Sequence, residues 1–517
     1  MKNEIEVKLK PCCPIAEFPC YTNVDHFHIS HKPRPAIANN ILETIGNTPL
    51  VRLNSVGKID GVPCEILAKC EFMNPGGSVK ERISLRMIEE AERKGQLHTG
   101  DTIIEATSGN TGIGLALACA IKGYECKIAL PEKMSLEKCN MLKALGAKVI
   151  RTRTSAMFYE KDSHYEISKN IRDQDPEHVH LLDQYSNINN VLAHYDTTAE
   201  EIIRDCGDKP PDMIVLTIGT GGSITGISSK IKARYPKCLV VGIDPAGSII
   251  ADDKKNVVDE RNEKDPCKDV EGIGFQFVPT VFSEKYIDMW VRIYDRESFR
   301  MARRLIREEG LFCGGSCGAV VYGAIATLKK LQWGPEKRVV VLLPDSVRNY
   351  MTKFLLDDWL VSKGYEEFPT NDLSNEFAEI SIKDEPKKCS IRRSLKKPYV
   401  FKPDQTIEQV LRIIKEENLE KSVGAGLVIE DGVWGPNSVI IGVIDLKKMT
   451  KDLLMNGIKC DSLLTYIMNK EYRMAELNHG EDQILKVLLL EPYCVVKTEE
   501  GPYIAHDGDF LVNILKE

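Results

Sequence analysis

From residue 41 to about residue 358, short apolar runs alternate with amphipathic helical segments, and that alternation leaves few architectures open. Lys127-Ile128-Ala129-Leu130-Pro131, Lys148-Val149-Ile150, Leu239-Val240-Val241-Gly242-Ile243 and Arg338-Val339-Val340-Val341-Leu342-Leu343 read as buried strands. They are apolar on successive residues rather than on alternate ones, as strands covered on both faces are. Between them lie stretches of helical spacing, residues 83–91 among them. The pattern predicts an α/β fold of largely parallel sheets with helices on both faces, and ligands gather at the C-terminal strand ends of such sheets.

Three glycine-rich loops fall at those ends. The first, Asn74-Pro75-Gly76-Gly77-Ser78-Val79-Lys80, sets one lysine behind two glycines and a serine. A lysine that attacks an aldehyde needs close backbone approach and surroundings that let it lose its proton, the conditions for Schiff-base chemistry with pyridoxal phosphate. The second, Thr107-Ser108-Gly109-Asn110-Thr111-Gly112, follows Thr102-Ile103-Ile104 and opens a helical stretch, residues 113–121. Small hydroxyl and amide residues there present donors to an anion at a helix N-terminus, or simply cap the helix. The third, Gly219-Thr220-Gly221-Gly222-Ser223, follows Met213-Ile214-Val215-Leu216 and suits a backbone cradle for phosphate.

The order of these loops, with Ile45-Gly46-Asn47-Thr48-Pro49-Leu50, Asp183-Gln184-Tyr185, Glu271-Gly272-Ile273-Gly274, Gly314-Gly315-Ser316 and the run Leu343-Pro344-Asp345-Ser346 continuing to Lys353, resembles the cystathionine β-synthases. These are fold-type II pyridoxal-phosphate enzymes, related to cysteine synthase and serine racemase. The resemblance implies that Lys80 holds the cofactor and then acts as general base. It makes Asn110 the partner of the cofactor's 3′-oxygen and residues Gly219, Thr220, Gly221, Gly222 and Ser223 its phosphate cradle. Ser316 becomes the partner of the pyridine nitrogen, with Pro344 and Asp345 as further cofactor contacts. Thr107, Ser108, Thr111 and Gln184 match the grip on the substrate carboxylate. Tyr185, Gly272 and Gly274 match the substrate-side surface, where Phe275 replaces a tyrosine that many relatives carry.

Length and composition fit a multidomain protein. At 517 residues with 43% hydrophobic and 28% charged residues, the chain can bury a large core and carry more than one domain. A net charge of −7 argues against a general nucleic-acid or anionic-membrane surface, and no apolar run approaches a membrane span. Sixteen scattered cysteines and a charged N-terminal stretch without a signal-peptide core predict a cytoplasmic protein.

The expected organisation is a segment 1–40, a catalytic domain 41–365, a charged linker 366–398 and a tail 399–517. In the first segment, Cys12-Cys13 precede Asp25-His26-Phe27-His28. Metazoan relatives bind haem b here through a cysteine and a histidine, which implies His26 and Cys13 as iron ligands, with Cys12 the alternative. Such a pair also binds zinc elsewhere. Ile15, Ser229 and the absence of a second cysteine near Cys238 depart from the vertebrate pattern. The tail repeats a helix and two strands. The first copy is Asp404-Gln405-Thr406-Ile407, Leu427-Val428-Ile429 and Ile440-Ile441-Gly442-Val443-Ile444-Asp445. The second is Glu481-Asp482-Gln483-Ile484, Tyr493-Cys494-Val495-Val496-Lys497 and Tyr503-Ile504-Ala505-His506. This layout is similar to the paired CBS-type (Bateman) module of many family members. Regulatory members hold an adenosyl ribose with a threonine and an aspartate three residues later. Here the pair is His506 and Asp509, with Asp445 in the first copy, so S-adenosylmethionine is not expected to activate.

The expected reaction is β-replacement on L-serine by L-homocysteine in a homo-oligomer, with a dimer the simplest form and hydrogen sulfide release as a side activity. A cysteine synthase-like enzyme and a weakly catalytic haem- or nucleotide-sensing protein are the competing readings.

Overall fold

The computed structural model describes residues 28–365 apart from 31–32, 155, 157, 252–256 and 259–268. Beyond these it describes residues 399–416 except 403, and the segments 425–429, 440–445, 474–476, 493–497 and 502–506. Cys12, Cys13, His26, Asp509, the linker 366–398 and the helix expected near 481–487 lie outside the described residues. The chain divides into two compact units, Met1–Leu360 and Val361–Glu517.

The first unit contains two sheets. One has four parallel strands in the order β5-β4-β3-β6: β3 (Thr102–Ala106), β4 (Glu125–Pro131), β5 (Lys148–Thr152) and β6 (Val179–Leu181). The other has seven, in the order β1-β2-β11-β7-β8-β10-β9: β1 (Leu50–Arg52), β2 (Glu65–Cys70), β7 (Met213–Thr217), β8 (Leu239–Pro245), β9 (Val257–Val258), β10 (Met289–Ile293) and β11 (Arg338–Leu343). Only β1 runs antiparallel to its neighbour. The expected α/β class with largely parallel sheets is present.

The apolar runs of β4, β8 and β11 are continuous because both faces of these strands are buried, whereas β5, expected to be buried, lies at a sheet edge with Lys148 and Arg151 exposed. Along β11, Val339, Val341 and Leu343 join one apolar cluster, with Val215, Val241 and the helix Gly315–Leu331. Val340 and Leu342 point the other way and join Leu216, Val240 and Ile224 of the helix Gly222–Arg234. The four-stranded sheet packs Ile103, Ile128 and Leu130 against Ile83 and Met87 of the helix Lys80–Arg93 and Leu115 of the helix Asn110–Lys122. Among the described residues no helix is long and apolar enough to cross a membrane.

In the second unit, β12 (Tyr399–Phe401) pairs parallel with β13 (Ala425–Ile429), which pairs antiparallel with β14 (Ile440–Asp445). β15 (Met474–Glu476) pairs parallel with β16 (Tyr493–Lys497), which pairs antiparallel with β17 (Pro502–His506). The two halves thus share one pairing scheme. The first strand of each half, three residues long, is not expected from the sequence pattern.

Candidate active site

Four loops leave the C-terminal ends of parallel strands and meet in a cleft. The lysine loop follows β2, the loop 107–112 follows β3, the loop 219–223 follows β7, and Pro344 and Asp345 follow β11. About 620 Å³ of space lies between these loops, open solvent at the mouth included. Lys80, Ser108, Asn110, Thr111, Gln184, Tyr185, Gly219, Thr220, Ser223, Gly272, Ser316, Pro344 and Asp345 all line it. Thr107, Gly221, Gly222 and Gly274 belong to the same loops but do not line it.

Lys80 opens the helix Lys80–Arg93 behind Gly77, whose φ of +89° is a left-handed turn that suits glycine. Burial lowers the Lys80 ammonium to a pKa of about 8, against the opposing pull of the Asp345 carboxylate. Its Nζ lies 3.4 Å from Thr220 Oγ1. Glu81, buried next to it, accepts from Ser78 Oγ at 2.7 Å and Ser78 N at 3.1 Å, so the serine of the loop is held from below.

Asp345 connects the two residues expected at opposite ends of the cofactor ring. Its Oδ2 accepts from Asn110 Nδ2 at 2.9 Å and from Tyr350 OH at 2.5 Å, and its Oδ1 lies 3.4 Å from Ser316 Oγ. Asn349 Nδ2 donates to Asn110 Oδ1 at 2.8 Å, which fixes the plane of that amide. Lys138 Nζ donates to Tyr350 OH at 3.1 Å and to Glu271 Oε2 at 2.7 Å. Burial works against the charge of Glu271, but Lys138 and Lys353 outweigh it and hold the carboxyl below its usual range. One polar chain therefore runs from the loop carrying Gly272 to Asn110.

On the expected carboxylate side, Thr111 Oγ1 donates to Gln184 Oε1 at 2.6 Å, and Gln184 Nε2 donates to Ala106 O at 2.7 Å. Buried Glu105 accepts from Asp183 N at 3.0 Å and Gln184 N at 3.1 Å. Thr107 sits behind the loop and accepts from Gly109 N at 3.0 Å. Tyr185 packs edge-on against Phe158, Phe275 and Phe277, with ring centroids 5.3, 5.8 and 5.3 Å away. Phe275 thus extends an aromatic wall where a tyrosine would have brought a hydroxyl.

These residues fit pyridoxal phosphate. Gly219 approaches Gly272 so closely that a Cβ would stand 2.5 Å from the Gly272 carbonyl, and the helix Gly222–Arg234 starts at the cradle, offering its N-terminus to an anion. Lys80, with its lowered pKa, faces the cradle across the cleft.

A family described as pyridoxal-phosphate dependent enzyme matches residues 41–345. The chain is 43% identical over 494 residues to the cystathionine beta-synthase of Oryctolagus cuniculus, covering 95% of this chain and 84% of the relative. It is 49% identical over 389 residues to that of Dictyostelium discoideum, with 74% of each chain covered. It belongs to the cystathionine β-synthases. The relative from Saccharomyces cerevisiae is 37% identical, with 86% of each chain covered. Among solved structures, a hydrogen sulfide-producing enzyme from Fusobacterium nucleatum is similar with a TM-score of 0.55 and 37% identity, covering 61% of this chain and all of that one. An O-ureido-L-serine synthase matches at a TM-score of 0.55 and 33% identity, covering 62% and 96%.

For a cystathionine β-synthase, sequence reasoning gives no role to Glu81, beside Lys80, and misses Glu105 and Lys138. Asn349 and Tyr350 lie within the run 343–353, which carries no signal of the contacts they make. Glu81 sits in the lysine motif itself, while Glu105 and Lys138 belong to no recognisable motif and reach the site through Gln184 and Glu271.

Proposed function

We propose that this protein condenses L-serine with L-homocysteine to give L-cystathionine and water. The observation that carries this reading is the lysine of depressed pKa, Lys80, at the meeting point of the loops 107–112 and 219–223, in a chain 43–49% identical to cystathionine β-synthases. When bound, pyridoxal phosphate supplies an electron sink that acidifies the serine Cα–H and eases departure of the β-hydroxyl.

The protein's residues do the rest. Lys80 Nζ holds the cofactor, then takes the Cα proton; a pKa of about 8 leaves a useful neutral fraction near pH 7–8. Ser108 and Thr111 receive the substrate carboxylate, and Gln184 fixes the Thr111 hydroxyl. Ser316, which lines the cleft, would offer the pyridine nitrogen a neutral hydroxyl, which would hold little positive charge on the ring and so favour expulsion of the β-substituent. Tyr185 and Phe275 line the cleft with Phe277 packed against them, an apolar surface that would limit water around a bound substrate.

Further parts of this reading are a haem b held by His26 and Cys13 or Cys12, a cytoplasmic homo-oligomer, hydrogen sulfide release when cysteine replaces a substrate, and a tail that does not respond to S-adenosylmethionine. The free, buried cysteines of the catalytic unit support a reducing compartment. Ser229 turns its hydroxyl onto Gly226 O at 3.0 Å, and Lys230 pairs with Glu200 and lies 4.4 Å over the Tyr195 ring. His506 ends β17.

Assay of purified protein with serine and homocysteine should yield cystathionine. Turnover only with O-acetylserine and sulfide would instead support a cysteine synthase. A Soret band that shifts in His26→Ala and in one of the two cysteine variants supports haem, and zinc without porphyrin removes it. Micromolar S-adenosylmethionine binding with clear activation would overturn the reading of the tail.

A further inference from the structure

Behind the phosphate loop, one helical stretch holds both of the loop's hydroxyls. The helix Ile188–Ala193 continues into a π-helical turn, His194–Thr198, and such turns concentrate at functional sites. Asn190 and His194 are four residues apart and so share a face. Asn190 Nδ2 lies 3.0 Å from Thr220 Oγ1 and 2.7 Å from Gln184 O. His194 Nε2 lies 2.9 Å from Ser223 Oγ, and its Nδ1 lies 3.0 Å from Thr198 Oγ1. Both side chains are fully buried.

Glycines make this approach feasible. A Cβ on Gly222 would stand 2.0 Å from Asn190 Oδ1, and one on Gly226 would stand 2.4 Å from Val191 O and 2.9 Å from His194 Cβ. Gly222 is therefore required by Asn190 behind it, whatever the phosphate needs in front.

Proton direction gives the arrangement a purpose. An amide nitrogen can only donate, so Asn190 gives Thr220 a hydrogen bond without using Thr220's own proton. Burial keeps His194 neutral, holding its pKa well below the usual range, so one ring nitrogen donates and the other accepts. If Thr198 donates to Nδ1, then Nε2–H donates to Ser223 and the Ser223 proton is free. The opposite tautomer spends the Ser223 proton on the ring. A hydrogen bond to an anion is about twice as strong as a neutral one, so a bound phosphate selects the first arrangement.

We propose that Asn190 and His194 are positioning residues that donate to Thr220 and Ser223 from behind, turning both hydroxyl protons toward the cofactor phosphate. The inference rests on the pyridoxal-phosphate reading of the cleft. It is tested on the full-length protein by pyridoxal phosphate affinity and by the ³¹P chemical shift of the bound phosphate, in His194→Leu, Ser223→Ala and the double variant. Each single variant should bind the cofactor about tenfold more weakly with a moved ³¹P signal. The double variant should bind no worse than Ser223→Ala alone, because His194 acts through that hydroxyl. His194→Gln, which keeps a donor, should recover most of the loss. Additive losses, or a His194→Leu protein with unchanged affinity and ³¹P shift, would overturn the inference while the wild type stays loaded. A wild type that takes up no pyridoxal phosphate would overturn the underlying reading and this one with it. The Asn190→Ala and Thr220→Val cycle measures the same coupling and decides the matter if His194→Leu does not fold.

Discussion

Lys80, Glu81 and Arg82 are three consecutive charged residues in the first turn of one helix, and the fold treats the third differently from the first two. Arg82 enters a buried cluster in which every charge is matched. Its Nε and Nη1 lie 2.7 Å from Glu71 and Glu201, and Lys69 Nζ lies 2.7 Å from Glu201. Burial works against the Arg82 charge, but Glu71 and Glu201 outweigh it and hold the guanidinium above its usual range. Burial likewise works against Glu201, yet Arg82 and Lys69 hold it well below its range. Thr48 Oγ1 joins the cluster at Glu71 Oε1, 2.7 Å away, which gives the Ile45-Gly46-Asn47-Thr48 motif its place. Glu271 on the cleft side is matched by Lys138 and Lys353, but Lys80 and Glu81 have no such ion-pair partner among the described residues. Lys80 is lowered to about 8 and Glu81 raised to about 7, both chiefly by burial. Paired charges hold the framework in place, while unpaired ones near neutrality supply groups that can exchange protons.

The comparison breaks first at Lys80. Lys80→Ala should fold normally and lose cystathionine formation by roughly 10²–10⁴-fold or more. Borohydride reduction and peptide mapping of the wild type should place a pyridoxyl group on Lys80. Turnover retained within tenfold in the variant, or a label on another lysine, would dissolve the contrast.

On the paired side, Arg82→Leu leaves Glu71 and Glu201 buried with fewer partners. Removing one member of a buried pair costs about 3–5 kcal/mol. Chemical denaturation should show that loss, and an unfolding midpoint equal to wild type would mean the cluster is not what stabilises this face.

Glu81 sharpens the contrast through pH. Its pKa is about 7 in the fold and ordinarily 4.5, so the folded state keeps a proton that the unfolded chain releases between those values. Stability therefore falls as pH rises through that window, by up to about 3 kcal/mol. Glu81→Gln keeps the neutral form at every pH. Its unfolding free energy should match wild type near pH 4.5 and exceed it near pH 8, and parallel pH profiles for the two proteins would contradict the neutral carboxyl.

The smallest effect belongs to Tyr350→Phe, which removes one of the donors to Asp345 Oδ2 and leaves Asn110 in place. A loss of about 1–2 kcal/mol in cofactor affinity is expected. Unchanged affinity by spectral titration would show that Asn110 alone holds that carboxylate.

Much of this protein is legible in its amino-acid sequence. The apolar runs at β4, β8 and β11 predict parallel strands because burial on both faces removes the alternation that a half-exposed strand shows, whereas β5, at the sheet edge, is only partly buried. Gly76-Gly77-Ser78 before Lys80 and the glycines at 219–222 mark the two turns at the cleft where backbone packs closely, against Glu81, Gly272 and Asn190 among others. The short edge strands β1 and β9, and the opening strands β12 and β15 of the tail, are not legible. At two or three residues they carry too little periodicity to stand out.

The amino-acid sequence by itself therefore determined the layered α/β class, the lysine, and the loops that border the cleft. Each of these is written in contiguous residues as burial period or turn chemistry. Tertiary structure alone decided which groups face one another. Lys80 meets Thr220 across 140 residues and Asn110 meets Asp345 across 235. Asn190 and His194 reach the loop 219–223 only because Gly222 and Gly226 let two helices touch. The direction of a proton, and whether a buried charge is kept or given up, depend on distances of a few ångströms between segments that local pattern does not relate.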